Sequence, residues 1–269
     1  MNLDERQQRE FDYHSAMADR QAQMADMPVD DDVVRSPERR WWNAYWHTFD
    51  SLIAAGLNGK RILVPGCGFG EDAIRLAMLG AEVFASDLSD KILEIARQRA
   101  ERAGVNNIQF DVMAAERLGY HAHAFDAVFL HDILHHVDIP KALQEIQRVV
   151  RPGGMVFVNE LYTHSVIQKI RTSFLVDRLL YSRMVKRIYG TDRPYITEDE
   201  RKIDQTELAL IEQTLEFGFR VDFFMLLEGR LFSSRRPGLS KCDRTALKIL
   251  GRAGRWLAGR FTLVGSLRA

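Results

Sequence analysis

Residues 61–87, RILVPGCGFGEDAIRLAMLGAEVFASD, decide the fold. The apolar run at 61–65 contains β-branched residues and predicts a buried strand. From Glu71 the apolar residues recur at helical spacing as far as Gly80, which predicts a helix that ends near this glycine. A second apolar run then leads to Asp87. The stretch therefore predicts a strand, a helix and a second strand with an acid at its end.

The turn between the first strand and the helix carries three glycines, Gly66, Gly68 and Gly70. Because glycine has no Cβ atom, a ligand can approach this backbone closely. A dinucleotide-binding turn has the spacing GxGxxG and holds a pyrophosphate, but here Glu71 replaces the third glycine and Asp72 follows it. Two carboxylates would repel a pyrophosphate, whereas they tolerate a cationic ligand without phosphate, such as S-adenosylmethionine. A glycine turn of an unrelated α/β protein is the alternative at this point.

The composition fits one domain with an added cap, since 269 residues with 46% hydrophobic content can bury a sizeable core. The formal net charge is zero, which argues against a field that would attract nucleic acid. Two cysteines, Cys67 and Cys242, form no disulfide framework or metal motif. We find no apolar leader and no apolar run of membrane-spanning length, so we expect a cytoplasmic protein with at most peripheral membrane contact.

Strands and helices alternate along the middle of the chain. Further strands are predicted at 107–111, 125–130 and 155–161, and helices between them at 91–103 and 140–150. This alternation predicts a parallel sheet with helices on both faces.

Four motifs in order give the chain a family resemblance over about residues 60–161. They are the glycine loop PGCGFG, the strand end SDLS, the strand and turn FDAVFLHDILHHV, and the segment LQEIQRVVRPGGMVFVNE. Together they resemble a class I S-adenosylmethionine-dependent methyltransferase of the small-molecule type, with a UbiE/UbiG-like core. The resemblance implies an α/β, Rossmann-like sheet that is mostly parallel, with an antiparallel seventh strand. It places a helix at 206–218 and the last two strands at 219–227 and 261–267.

The remaining segments are expected to form helical caps on this sheet. We predict an N-terminal helical cap at 1–58 and a methyltransferase domain at 59–269, with insertions at about 162–205 and 229–259. The cap is expected to contain a helix at 10–24 and a second helix opened by Pro37. On the second helix, one face is expected to carry Trp41, Tyr45, Phe49, Leu52 and Ile53.

The cofactor residues follow from the resemblance and from the strand ends. Asp87 stands where a carboxylate can accept both ribose hydroxyls; its alternative role is to cap the next helix. The family usually has an acid where this chain has Val64, and another where it has Ala114. The predicted cofactor-binding residues are Gly66, Cys67, Gly68, Gly70, Asp87, Leu88, Ala114, Ala115, Leu130 and His131.

Two histidines beyond the fourth strand are the catalytic candidates. Transfer of a methyl group to a hydroxyl needs a base, and histidine has an ordinary pKa near neutrality. His135 is the first candidate and His131 the second, while His136 matches a family histidine and is expected to be structural. No cluster of carboxylates accompanies these histidines in the sequence, so no metal site is predicted.

The acceptor pocket is expected to come from the caps. Its candidate residues are Trp42, Tyr45, Trp46, Glu160, Tyr162 and His164. For the aromatic residues of the cap, docking of the helix on the sheet is the alternative. Both insertions are rich in Lys and Arg, so a lipid-linked or anionic acceptor is considered beside solvated basic helices.

The sequence as a whole predicts methyl transfer from S-adenosylmethionine to a small molecule, at a hydroxyl of a phenol, quinone precursor, polyketide or glycolipid, with S-adenosylhomocysteine as product. Nucleic acid is not expected as a partner, since the family's NPPY-type signature is replaced by HDIL. Two alternatives remain: a non-catalytic S-adenosylmethionine-binding regulatory module and a nicotinamide-dependent oxidoreductase. Neither the acceptor nor the oligomeric state follows from the sequence.

Overall fold

A computed structural model describes residues 3–162, 203–215, 219–229 and 231–268. Its centre is a seven-stranded sheet in the order β3-β2-β1-β4-β5-β7-β6. Strands β1 to β5 pair in parallel, and β7 is antiparallel to both of its neighbours. The strands are β1 Arg61–Pro65, β2 Glu82–Asp87, β3 Ile108–Val112, β4 Phe125–His131, β5 Val150–Leu161, β6 Arg220–Phe224 and β7 Arg260–Ser266. The predicted sheet, with its antiparallel seventh strand, is confirmed.

Helices cover both faces of the sheet. They are α1 Glu5–Arg20, α2 Asp32–Arg35, α3 Ala44–Ala54, α4 Glu71–Met78, α5 Asp90–Arg102, α6 Ile139–Val149, α7 Gln205–Gln213 and α8 Pro237–Leu250. Short 3-10 turns lie at Ala22–Asp26, Leu134–His136 and Gly251–Trp256. One core cluster joins α6, α7 and α8 to the sheet, and another joins α3 and α4 to it. No described helix has the length and apolar character needed to cross a bilayer.

The N-terminal cap differs from its predicted form. Helix α1 begins at Glu5 because Asp4 and Gln7 form a capping box, five residues before the predicted start. The next long helix, α3, begins only at Ala44, where the Asn43 side chain caps it. Trp41 therefore lies outside the helix.

The predicted apolar face of α3 is only partly correct. Phe49 and Leu52 are fully buried, but Ile53 is exposed and Trp46 is buried in its place. Most of the first predicted insertion, with His164, lies outside the described residues.

Candidate functional site

The glycine turn has the open backbone that the sequence predicts. Gly66 has a φ of +64°, and a Cβ atom there would lie 2.3 Å from Cδ1 of Ile133. Gly68 has a φ of +51°, and a Cβ built on it meets nothing within 4 Å. The first glycine is thus required for packing, and the second leaves free space beside the turn.

Asp87 lies at the end of β2, beside this turn, and is buried. Its Oδ2 accepts a hydrogen bond of 3.0 Å from the amide of Gly68, and its Oδ1 accepts one of 3.1 Å from the amide of Ser89. A carboxylate has about four lone-pair sites, so each oxygen can still accept from a ligand hydroxyl. Ser89 caps α5 with its own side chain. The capping role that was the alternative for Asp87 is therefore taken by its neighbour.

Helix α1 lies over Asp87 and closes a small cavity of about 110 Å³, which we call the α1 cavity. The buried Glu10 of this helix forms ion pairs with His14 at 3.5 Å and with His136 at 3.3 Å. Burial by itself would raise the pKa of Glu10, but the two histidines outweigh it and lower this pKa to about 2. For His14, burial would lower the pKa, while Glu10 and Asp87 raise it above its ordinary value. Charged side chains of α1 thus border the same space as Asp87.

A second cavity of about 550 Å³, the glycine-loop cavity, adjoins the first and shares Gly66, Gly68, His14 and Asp132 with it. Its far wall is formed by Tyr45 and His131. A volume of this size is within the range of roughly 300–1,000 Å³ that is usual for ligand pockets.

His131 is held by an acid from the glycine-turn helix. Its Nδ1 lies 2.7 Å from Oδ2 of Asp72, and the Tyr45 hydroxyl donates to the other oxygen of Asp72. Arg75 donates to the Tyr45 oxygen at 2.7 Å. Burial alone would lower the pKa of His131, but the Asp72 carboxylate outweighs it and raises this pKa. When the ring is neutral, the proton on Nδ1 faces Asp72, and Nε2, which lies 3.5 Å from Oδ2 of Asp132, carries the lone pair.

A third cavity, the strand-end cavity, lies on the other side of this wall and has a volume of about 710 Å³. Tyr45 and His131 line both it and the glycine-loop cavity. Asn159, from the end of β5, lines it as well, and its Oδ1 accepts a hydrogen bond of 2.8 Å from Arg260. Its Nδ2 is buried and has no hydrogen-bond partner among the described residues. A donor therefore remains unsatisfied at the cavity that also contains His131.

His135 is placed differently from His131. The 3-10 turn that follows β4 directs it inward, where its Nδ1 lies 2.8 Å from Oε2 of Glu160. His135 is 4% exposed and Glu160 is fully buried. The described lining of the strand-end cavity contains neither of them. Both remain predictions as catalytic and acceptor residues, but the geometry favours His131 as the base.

Asp132, His135 and Glu160 bring ligand-type atoms within 4.8 Å of one another. These donor types suit a divalent ion. However, Arg260 forms an ion pair of 2.9 Å with Asp132, and the Glu160 oxygens already accept from the Leu134 amide and His135. A metal would compete with these partners, so the absence of a metal stays a prediction.

The other predicted cofactor residues divide into two groups. Cys67 lines the glycine-loop cavity, while Leu88 and Ala115 line the α1 cavity. The other three line neither of these cavities. Gly70 packs on Ala96, and Leu130 lies in the core. Ala114 lines a neighbouring pocket.

The predicted acceptor residues are similarly divided. Trp42 and Tyr45 line the strand-end cavity, whereas the buried Trp46 lines the glycine-loop cavity. Tyr162 is buried between Phe223 and Phe261.

Several site residues were not predicted from the sequence. The sequence did not indicate that Glu10 and His14 belong to the site, because the polar sequence of α1 does not reveal which part of the sheet domain the helix packs on. Asp132 has a φ of +49°, a conformation that is unusual outside glycine and often found at functional sites. It lines both the glycine-loop cavity and the α1 cavity. Asn159 could have been noticed as a polar residue in an otherwise apolar strand.

The chain was compared with known proteins. Residues 63–158 match the family described as a methyltransferase domain. The chain is 41% identical over 113 residues to a ubiquinone biosynthesis O-methyltransferase of Methylocella silvestris, covering 42% of this chain and 44% of that protein. It is 35% identical over 122 residues to a demethylmenaquinone methyltransferase of Clavibacter sepedonicus, covering 45% and 49%. The match thus spans less than half the length of these curated relatives.

Solved structures resemble the chain over its whole length. Geranyl diphosphate C-methyltransferase of Streptomyces coelicolor A3(2) aligns with a TM-score of 0.58 and 16% identity, covering 100% of both chains. Magnesium protoporphyrin IX methyltransferase of Synechocystis PCC 6803 gives 0.56 and 17%, covering 98% and 100%. At these identities the likeness concerns the fold alone. The matched domain, the curated relatives and the seven-stranded sheet support the resemblance to class I S-adenosylmethionine-dependent methyltransferases.

Proposed function

We propose that the protein transfers the methyl group of S-adenosylmethionine to an oxygen of a small molecule bound in the strand-end cavity. One observation carries the proposal: His131, backed by Asp72, stands between the glycine-loop cavity and the strand-end cavity. Ligands on the two sides of this wall would meet at the histidine. The family match favours this function over the oxidoreductase and the non-catalytic module.

The residues around the glycine turn fit S-adenosylmethionine. Gly68 leaves open space beside the turn, and Asp87 retains lone pairs for the two ribose hydroxyls. The buried Val64 offers no charge for the ligand's amino group, but Glu10 and Asp132 bring carboxylates to the adjoining cavities. S-adenosylmethionine, when bound, supplies a methyl group activated on a sulfonium sulfur.

His131 has the geometry of a base for an acceptor hydroxyl. Methyl transfer would form an oxygen–carbon bond and break the sulfur–carbon bond of the sulfonium, with S-adenosylhomocysteine as the leaving group, and Nε2 of His131 would accept the proton that the hydroxyl loses. Asp72 fixes the ring through Nδ1 and stabilises the positive charge that results. Because the pKa of His131 is raised, the neutral, reactive form becomes more populated as the pH rises through that value.

Asn159 is proposed to position the acceptor. Arg260 fixes the orientation of its amide by holding Oδ1, so Nδ2 can donate to an acceptor oxygen. An acceptor with a second oxygen beside the reacting hydroxyl would satisfy both Asn159 and His131. Phenols and quinone precursors include such molecules, and the names of the curated relatives support this class.

The test is a screen of phenols and quinone precursors with S-adenosylmethionine, detecting S-adenosylhomocysteine. On the acceptor found, His131→Gln should lower kcat by a factor on the order of 100, while S-adenosylhomocysteine affinity is retained. His135→Gln is the matched comparison and should preserve more activity, because His135 is buried away from the cavity. A greater loss in His135→Gln than in His131→Gln would reject His131 as the base.

Asn159→Asp keeps an oxygen for Arg260 but removes the donor. It should raise the acceptor KM by about tenfold, since a hydrogen bond of this kind contributes about 1–2 kcal/mol. An unchanged KM would exclude Asn159 from acceptor binding.

A further inference from the structure

Helix α8 buries three polar side chains and exposes three apolar ones. The side that packs on the protein carries Ser240, Asp243 and Arg244 beside Leu247, all at most 5% exposed. The solvent side exposes Leu239 by 43%, Ile249 by 82% and Leu250 by 39%. A surface helix normally buries its apolar side, so this arrangement requires an explanation.

The buried polar side has a structural role. Asp243 accepts hydrogen bonds from the amides of Leu226 and Leu227 at 2.8 and 2.7 Å, just beyond β6. Arg244 donates to Asp222 of β6 at 2.7 Å. These contacts fix the orientation of α8, so the apolar residues are held outward by the fold.

The exposed residues form one continuous pattern. At about 100° per residue, Leu239, Ile249 and Leu250 fall within an arc of roughly 100°, and Lys241 and Lys248 lie together about 80–100° beyond its Ile249 edge. Residues 229–259 contain a single acid, the buried Asp243. We call the exposed set the α8 surface: Leu239, Lys241, Lys248, Ile249, Leu250 and Arg252.

The α8 surface is next to the strand-end cavity. The ammonium of Lys241 lies 4.4 Å from the centre of the Trp42 ring, and that of Lys248 lies 4.7 Å from the Trp41 ring. Trp42 lines the strand-end cavity, as does Arg235, which precedes α8. Exposed Trp41 and Trp256 add the amphipathic rings that suit a lipid interface.

We propose that the α8 surface docks on a membrane containing anionic lipids, with the strand-end cavity beside the bilayer. Its lysines and arginine would lie among the anionic headgroups, and Ile249 and its apolar neighbours would enter the acyl boundary. Charge selects this occupant over a second copy of the chain, since a symmetric contact would bring like charges together. An acceptor dissolved in the bilayer could then reach the cavity without crossing water.

The test is cosedimentation of the full chain with vesicles, without cofactor or acceptor, so that it is independent of the proposed function. The protein should bind phosphatidylcholine vesicles containing about 30% phosphatidylglycerol, and binding should fall steeply in about 0.5 M salt. Ile249→Glu should weaken binding about tenfold, whereas Ile53→Glu, at an exposed position of α3, should not. Lys248→Glu should weaken it and Lys60→Glu should not.

Ile249 is mostly exposed, so Ile249→Glu should keep the thermal unfolding midpoint of the wild type, which excludes misfolding as the cause. Equal binding to vesicles of phosphatidylcholine alone, equal binding by Ile249→Glu, or no binding by the wild type would each overturn the proposal. So would a wild-type dimer that Ile249→Glu dissociates when neither protein binds vesicles, because the surface would then serve self-association.

Discussion

The ion pairs of Glu10 should make α1 sensitive to acid by a predictable amount. The pKa of Glu10 lies at about 2 in the folded protein, against 4.5 for the free side chain. A difference of about 2.5 pH units corresponds to about 3 kcal/mol. Because this pKa is lowered by folding, the contribution is present above pH 4.5 and is lost as the pH falls through 2. It also declines as the pH rises through the raised pKa of His14, because a neutral imidazole no longer pairs with the carboxylate.

Glu10→Gln removes this contribution and permits a direct measurement. The free energy of unfolding, obtained from urea titrations, should be lower for Glu10→Gln than for the wild type by up to about 3 kcal/mol at about pH 5, which is below the raised pKa of His14. The difference should close as the pH falls from about 5 towards 2. Glu101→Gln, at an exposed position of α5, serves as the control and should follow the wild type at every pH. A constant difference between pH 7 and pH 2 would refute the reasoning, because the charge of Glu10 would not be its source.

Two further predictions concern the site. Asp87→Asn should weaken S-adenosylhomocysteine binding at least about tenfold in calorimetry, because a carboxylate acceptor is lost at the ribose position; unchanged affinity would exclude Asp87 from the site. Asp72→Asn should lower the pKa of His131 in an NMR titration of the ring. Burial lowers this pKa, and the substitution removes the carboxylate that opposes the effect of burial. Asp132→Asn should lower this pKa less, since Asp72 has the larger effect on His131, and an unchanged pKa in Asp72→Asn would contradict the assigned pair.

The fold was accessible from the sequence because its signals are local. The glycine turn, the helix of 71–78 and the acid at the end of β2 all lie within one continuous stretch, and each depends on residue spacing alone. Capping explains where this local reading was inaccurate. Asp4 and Asn43 set the starts of α1 and α3, and the apolar spacing that predicts these helices includes neither residue.

By itself, then, the sequence determined where the strands lie along the chain, the glycine turn and the position of Asp87, because strand periodicity and glycine geometry are properties of short segments. The tertiary structure alone decided which of the two catalytic candidates lines the strand-end cavity, since a short 3-10 turn separates His131, in the cavity wall, from the buried His135. It also decided the partners of His131 and His136, because Asp72 and Glu10 are 59 and 126 residues away along the chain. Charges meet across such separations only after the sheet and α1 have packed, and no residue spacing encodes that contact.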